Sequence, residues 1–398
     1  MKRKFRIIVG MLLLAIPLCM NAQVKPVKPE KEQPKAKVEK PEKPRPDKPE
    51  KPEKPKGGLE MPKISGFVQG MYQANLNDEG ELSSNTLRMR RVRMSIDGKL
   101  SPKVSYKIQG DFSRSPMLVD AFVKYKACNE FAIQVGQFKT PFTLESPINP
   151  VNLEIFDYGE VIQKLGGYSD VCGVGGLGRD IGVMATGSLF PIKGEEGVKY
   201  NVVDYAVGVF NGNGPTTTDN NNRKDLVGRL EVHPGLKALT LSGSYYYGKY
   251  TKGDNINCTR NRWAAGAQYN DGKLVVRGEY IGGKTGSLLD IVDQNNEVVG
   301  VEEGLMPSKG FYGVAGYTFR IGKDKSQTLM PVIRFDNFDE LNLPAVNSNT
   351  LNGTNWYTIG INYWPIKSLN FKFDYSLIVD GTDDINSHRI VGILSYKF

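Results

Sequence analysis

Past its first twenty-two residues the chain has no run of about eighteen apolar residues, so no transmembrane helix can be drawn from it. Histidine is nearly absent, with only His233 and His388 in 398 residues. Neither lies near a Ser or Cys arrangement that suggests a nucleophile–base pair. Metal-ligand spacing is also missing, so neither catalysis nor a resident metal or cofactor is expected. Cysteine is scarce: beyond Cys19 only Cys128, Cys172 and Cys258 occur, widely spaced and odd in number. They give no disulfide framework and read as small residues of turns and loops, with one loop disulfide as the alternative. Net charge is lacking where a nucleic-acid binder would need it. Of 52 basic residues, four lie in the first twenty-two and twelve in 24–58, which leaves 36. Seven of the 43 acidic residues lie in 24–58, which also leaves 36. The overall +9 therefore belongs to the N-terminal segments, and a nucleic-acid partner loses its support.

Those N-terminal segments have their own signatures. Lys2, Arg3, Lys4 and Arg6 precede an apolar stretch from Ile7 to Leu18, and Asn21-Ala22-Gln23 offers a cleavage point. Residues 1–22 thus read as a secretory signal peptide. Cys19 raises the alternative of a lipid anchor, but Ile16-Pro17-Leu18 lacks the small residue that such a site needs. Residues 23–61 cycle through Lys-Pro-Glu units, as in Lys40-Pro41-Glu42-Lys43-Pro44. With little to bury and proline fixing φ, this is expected to be an extended periplasmic linker. Gly173 to Gly178 has the glycine content of a phosphate loop without its Lys-Ser/Thr ending, and reads as flexible loop.

From residue 62 to 398 the texture is period two. In Lys103–Phe112, Val104, Tyr106, Ile108 and Phe112 face one way, and Lys103, Ser105, Lys107, Gln109 and Asp111 the other. Such alternation means strand. Sixteen such stretches occur, from 64–74 to 388–398. Short links such as Asn270-Asp271-Gly272 alternate with long ones such as 76–86, 140–179, 251–261 and 283–309. A soluble sandwich has no reason to alternate in this way. An outer-membrane barrel with both termini in the periplasm does, with turns inside and loops outside. The expected fold is all-β, a 16-stranded antiparallel transmembrane β-barrel. Tyr245-Tyr246-Tyr247, Trp263, Trp356-Tyr357 and Tyr363-Trp364 suit aromatic girdles, and Leu394, Tyr396 and Phe398 share one lipid-facing side.

Strict alternation turns thirteen Lys/Arg inward, among them Arg91, Arg93, Lys107, Lys124, Lys126, Arg229, Arg277, Arg334 and Lys372. Seven acidic residues oppose them, including Asp97, Asp111, Glu231 and Glu279. The balancing acid is then expected in outer loops, as at Asp290, Asp293, Glu297, Glu302 and Glu303. Rings of Arg and Lys attract anions in a narrow bore, although cross-strand pairing would merely stiffen the wall. The longest link, 140–179, carries Glu154-Ile155-Phe156-Asp157 and Val161-Ile162-Gln163-Lys164-Leu165, enough apolar character for a short helix. It is expected to fold inward and narrow the pore.

Several strings resemble the phosphate-selective porin O and P family over Ile64–Phe398. They are Leu87-Arg88-Met89-Arg90-Arg91-Val92-Arg93, Val135-Gly136-Gln137-Phe138-Lys139-Thr140-Pro141-Phe142, Gly178-Arg179-Asp180-Ile181-Gly182-Val183 and Val207-Gly208-Val209-Phe210-Asn211-Gly212. The resemblance implies a homotrimeric barrel whose third loop forms the constriction, with second-strand arginines and lysines near that loop binding the anion. On this sequence those positions are Arg91, Arg93, Arg90 and Lys139, beside Lys107 from the alternation. Strict alternation turns Arg90 outward, and the strands from 199 to 250 carry few inward arginines. The expected function is a non-enzymatic outer-membrane porin for small polar or anionic solutes, phosphate-type anions among them. The alternative is a structural protein with a plugged barrel whose linker touches peptidoglycan.

Overall fold

The computed structural model describes residues 61–398, except 175, 195–196, 198, 253–255, 293–297, 341–352 and 381–385. The expected signal peptide (1–22) and all but the last residue of the expected linker (23–61) lie outside the described residues. No described helix is long and apolar enough to cross a membrane.

Sixteen strands form one antiparallel sheet that closes on itself. They are β1 (Lys63–Leu76), β2 (Leu82–Lys99), β3 (Val104–Asp111), β4 (Leu118–Lys126), β5 (Ala132–Lys139), β6 (Arg179–Lys193), β7 (Lys199–Phe210) and β8 (Asp225–Val232). There follow β9 (Leu239–Lys252), β10 (Ile256–Asn270), β11 (Leu274–Val292), β12 (Val298–Tyr317), β13 (Gln327–Glu340), β14 (Thr354–Ile366), β15 (Leu369–Asp380) and β16 (Asn386–Lys397). Phe319–Ile321 continues β12 after a break at Thr318, and both pieces pair with β13. The seam joins β1 to β16 over ten register pairs, from Phe67 opposite Lys397 to Leu76 opposite His388. Phe398 N–H donates to Gly66 O at 3.0 Å and Gly66 N–H to Phe398 O at 2.9 Å, so no edge strand is left.

The apolar face meets lipid. Trp263 stacks on Tyr280 at 5.3 Å, and Phe335 lies between Phe311 at 5.4 Å and Tyr357 at 5.0 Å. These rings form one belt across β10 to β14. Tyr317–Phe319 and Tyr363–Phe371 form a second belt nearer the short turns. Trp364 packs against the apolar core inside the barrel, and Tyr246 and Trp356 likewise depart from the girdle expectation. Their parity turns them inward, beneath Arg260 and Arg389 at 4.6 Å each. Leu394, Tyr396 and Phe398 all face out, as expected.

Two expected loops are largely strand. β9 and β10 pair up to Lys252 opposite Ile256, and β11 and β12 up to Val292 opposite Val298. Links 251–261 and 283–309 are thus hairpins standing beyond the apolar band. A ladder needs only backbone donors and acceptors, whereas the period-two pattern needs lipid on one side. The pattern stops where the lipid stops, and the ladder goes on.

The link after β5 folds into the lumen and carries a 3-10 turn (Pro150–Asn152) and helix α1 (Glu160–Leu165). Val161, Ile162 and Leu165 are fully buried, packed with Leu153 and Ile155 against wall residues such as Tyr312, Val314, Val332 and Phe338. Gly310 of β12 makes room for them: a Cβ there would lie 3.0 Å from Val161 Cβ. The barrel therefore has an apolar core inside it, along the β8–β13 side.

Candidate functional site: an arginine chamber beside the infolded loop

The loop is seated by charge as well as by apolar packing. Glu145 accepts from Arg334 Nη1 at 2.6 Å and Nη2 at 3.0 Å, and from Arg277 Nη2 at 3.3 Å. Arg277 also donates to Glu154 Oε2 at 2.6 Å, and Arg262 holds Asp170 with Nη2 to Oδ1 at 2.5 Å. Lys372 Nζ donates to the Leu153 and Ile155 carbonyls at 2.6 and 2.8 Å, and Lys397 Nζ to Asn152 Oδ1 at 2.6 Å. Burial alone would push the Glu145 carboxyl up, but the guanidiniums of Arg334 and Arg277 outweigh it and hold it down.

This pairing changes the expected charge map. Arg277, Arg334 and Lys372 do point inward, but they hold the loop and do not face an open bore. Glu145 and Glu154 of this loop balance Arg277 and Arg334, the latter also paired with Asp336 on its own strand, and Asp170 balances Arg262; alternation carries no information about the loop acids. The side chains of Asp290, Asp293, Glu297 and Glu302 lie outside the described residues.

Opposite the packed side, a chamber of about 580 Å³ remains open. Arg88, Arg90, Arg91, Arg93, Arg114 and Arg179 line it, with Asp111 and Asp157 as the acidic counterparts. Tyr158, Gln163 and Tyr168 of the loop close its inner side. Arg91 Nη2 donates to Asp157 Oδ1 at 2.8 Å and Nη1 to Gln69 Oε1 at 3.2 Å. Arg90 pairs with the other oxygen of Asp157. Arg93 Nε donates to Asp111 Oδ2 at 2.9 Å, and Arg179 grips Asp120 in a fork at 2.7 and 3.2 Å. Among the described residues Arg88 and Arg114 make no ion pair. Burial raises Asp157, yet Arg91 and then Arg90 dominate and hold its carboxyl down at about 2.

A β-bulge explains how Arg88 and Arg90 come to be here. Gln69 is opposite Arg91, but its neighbour Gly70 is opposite Met89, so Arg90 is an extra residue with no partner on β1. An inserted residue bends the strand and re-aims its side chain. Strict alternation turns Arg90 outward, whereas the bulge brings it onto Asp157. Beyond the bulge the phase is shifted by one. Leu87 and Met89, 81% and 52% exposed, take the outward positions, and Arg88 turns in. Sequence reading missed Arg88, Arg114 and Arg179 as site residues. The run Arg88-Met89-Arg90-Arg91 was the available signal, because no single parity can turn all three arginines the same way.

Arg90, Arg91 and Arg93 thus line one chamber. Lys107 and Lys139 do not join them. Lys107 sits 3.6 Å from Asp97 on the neighbouring strand, half-exposed and away from the chamber. Lys139 lies behind the loop and donates to Ile148 O at 3.0 Å and Tyr158 Oη at 2.9 Å, as well as to Ser146 O. It ties the loop down and is not part of the chamber lining.

Solved porins share this architecture. The anion-selective porin from Comamonas acidovorans superposes with a TM-score of 0.57 at 12% identity, over 85% of this chain and 99% of that one. OmpF of Salmonella typhi, in a complex with daunomycin, gives 0.58 at 13%, over 85% and 97%. The outer-membrane channel DcaP of Acinetobacter baumannii gives 0.55 at 15%, over 87% and 99%. At such identities the likeness shows the fold alone. No curated protein sequence matches. The model of one family, described as phosphate-selective porin O and P, matches residues 63–330. With that match and a closed sixteen-stranded barrel narrowed from within by its third outer loop, the chain is an outer-membrane channel for small solutes and belongs to the phosphate-selective porin O and P family.

Proposed function

We propose that this channel prefers anions, and that the arginine chamber is its selecting constriction. The observation that carries this reading is the lining itself: six arginines against two aspartates where the infolded loop leaves the lumen open. Guanidinium groups in a narrow, partly dehydrated space replace part of an anion's hydration, and their planar forks match phosphate and carboxylate oxygens. Arg91 and Arg93 are held rigidly by Gln69, Asp157 and Asp111, whereas Arg88 and Arg114 supply charge without a fixed partner. Lys124, Lys126 and Arg229 continue the basic lining toward the short-turn end. Passage is passive, with the lining residues attracting and guiding the solute and no chemical step. A homologous architecture includes a trimer form of OmpT from Vibrio cholerae, and we propose a homotrimer here as well.

The test is the reversal potential of single channels in a KCl gradient. Anion preference is expected, together with reduction of the chloride current by added inorganic phosphate. Cation preference refutes the proposal. The apolar packing of the loop along β8–β13 favours a second reading, a plugged structural barrel with a linker that contacts peptidoglycan. Absence of open-channel current together with cosedimentation with peptidoglycan would support it.

A further inference from the structure

Nearer the short turns, a second chamber of about 290 Å³ is lined by Lys124, Lys126, Ser188, Asp204, Arg229 and Glu231. Asp204 of β7 and Glu231 of β8 are directly opposed in the register. Like charges in that relation destabilise a strand pair unless something neutralises them. His233 is two residues beyond Glu231 and therefore on the same face. Asp204, Glu231 and His233 each offer one ligand atom, and these atoms lie within 4.8 Å of one another.

The set of the imidazole is an independent observation. Its Nδ1 lies 3.2 Å from Leu239 O and 3.2 Å from Thr240 Oγ1. Nε2 is 3.1 Å from Asp204 Oδ2. The ring has two arrangements: Nδ1–H donated to Leu239 O, which leaves Nε2 as a lone pair in the neutral ring, or Nε2–H donated to Asp204 with Nδ1 accepting from Thr240 Oγ1. In the first arrangement two acceptors face each other at a separation that either a proton on Nε2 or a shared metal ion accommodates, and binding of the ion selects that tautomer. An Nδ1–H bonded to a backbone carbonyl is also how proteins fix the tautomer of a metal-binding histidine.

We propose that Asp204, Glu231 and His233 form a binding site for a divalent transition-metal ion of the Zn²⁺ class at the inner mouth of the channel. One imidazole nitrogen and two carboxylate oxygens suit zinc, and three protein ligands leave a coordination position open to the chamber. Arg229 Nε lies 3.1 Å from Glu231 Oε1 and its Nη1 donates to Thr143 O at 3.0 Å, while Ser188 donates to Asp204 Oδ1. Each carboxylate thus keeps its second oxygen for the ion. Lys124 and Lys126 line the same chamber and weaken the site without entering it. Empty, the three basic and two acidic residues of this mouth carry a formal +1. A bound divalent ion raises that to +3 and makes the mouth more attractive to anions.

Purified full-length protein in detergent is titrated with Zn²⁺ against a chromophoric chelator. One ion per chain is expected. His233→Gln is expected to weaken binding by more than the roughly 10–100-fold typical of losing an outer-shell partner. His388→Gln, which removes the other imidazole, leaves binding unchanged. In bilayers, Zn²⁺ on the short-turn side shifts the KCl reversal potential further toward anions, EDTA reverses the shift, and His233→Gln abolishes it. Absence of binding up to about 1 mM Zn²⁺, or binding of unchanged affinity in folded His233→Gln, overturns the proposal. Binding is read without current, so this failure is distinguishable from failure of the anion-channel reading.

Discussion

Arg88→Gln is the sharpest test of the chamber, because it removes a charge without orphaning a partner. Strict alternation along β2 turns Arg88 toward lipid, and the bulge at Arg90 turns it inward. Under the first arrangement its loss leaves ion selectivity untouched. Under the second, one of six cationic groups disappears from the lining. A sphere of 580 Å³ has a radius of about 5 Å, which places an average lining charge about 6 Å from an ion at the centre. Arg88 is exposed, so a water-like dielectric applies, and the lost attraction is about 0.7 kcal/mol. That corresponds to roughly threefold lower anion occupancy before salt screening, which weakens it at high ionic strength. The assay is single-channel reversal potential in a KCl gradient at low and high mean salt. A shift toward cations that shrinks with salt is expected, with conductance otherwise near that of the parent. An unchanged reversal potential at low salt refutes both the inward phase of Arg88 and the electrostatic reading of the chamber.

Glu145→Gln removes the carboxylate shared by buried Arg277 and Arg334, which keep Glu154 and Asp336, so the expected loss lies below the roughly 3–5 kcal/mol of a fully unpaired buried charge. Lower thermal stability, noisier and larger conductance, and protease cleavage within 140–179 are expected. Unchanged melting refutes the seating role. Lys139→Met cuts the loop's tie to Ile148 and Tyr158 and is expected to increase current noise at constant reversal potential, whereas a selectivity shift would return Lys139 to the chamber. Asp157 has a depressed pKa in the folded protein. Its contribution is therefore fully present above the usual aspartate value and is lost only as pH falls through about 2. The difference in conductance between parent and Asp157→Asn should persist from pH 7 to about 3 and vanish only near pH 2. Its disappearance near pH 4 would mean that Arg90 and Arg91 do not hold that carboxylate.

What the sequence made legible follows from where lipid touches the chain. Lys103–Phe112 alternates because each second side chain meets acyl chains, so strand count, closure and outward Leu394, Tyr396 and Phe398 could all be read directly. The hairpin tips near Ile256 and Val298 were invisible because no lipid patterns them. The bulge was hidden for another reason: one extra residue changes no composition, yet it reverses the parity of everything before it. The loop's partners were least legible. Glu145 meets arginines more than a hundred residues away, and such a contact leaves no local period.

The seating of the loop also sets an order of assembly. Its ties reach β2, β10, β11, β13, β15 and β16, the last through Lys397 at the end of the chain. A growing barrel that lacks its final strands offers the loop only part of its cradle, so the segment must wait, solvated, until the seam between β1 and β16 is made. Docking of the loop is thus a late event that registers completion, and an unfinished wall would betray itself by a loop still open to proteases.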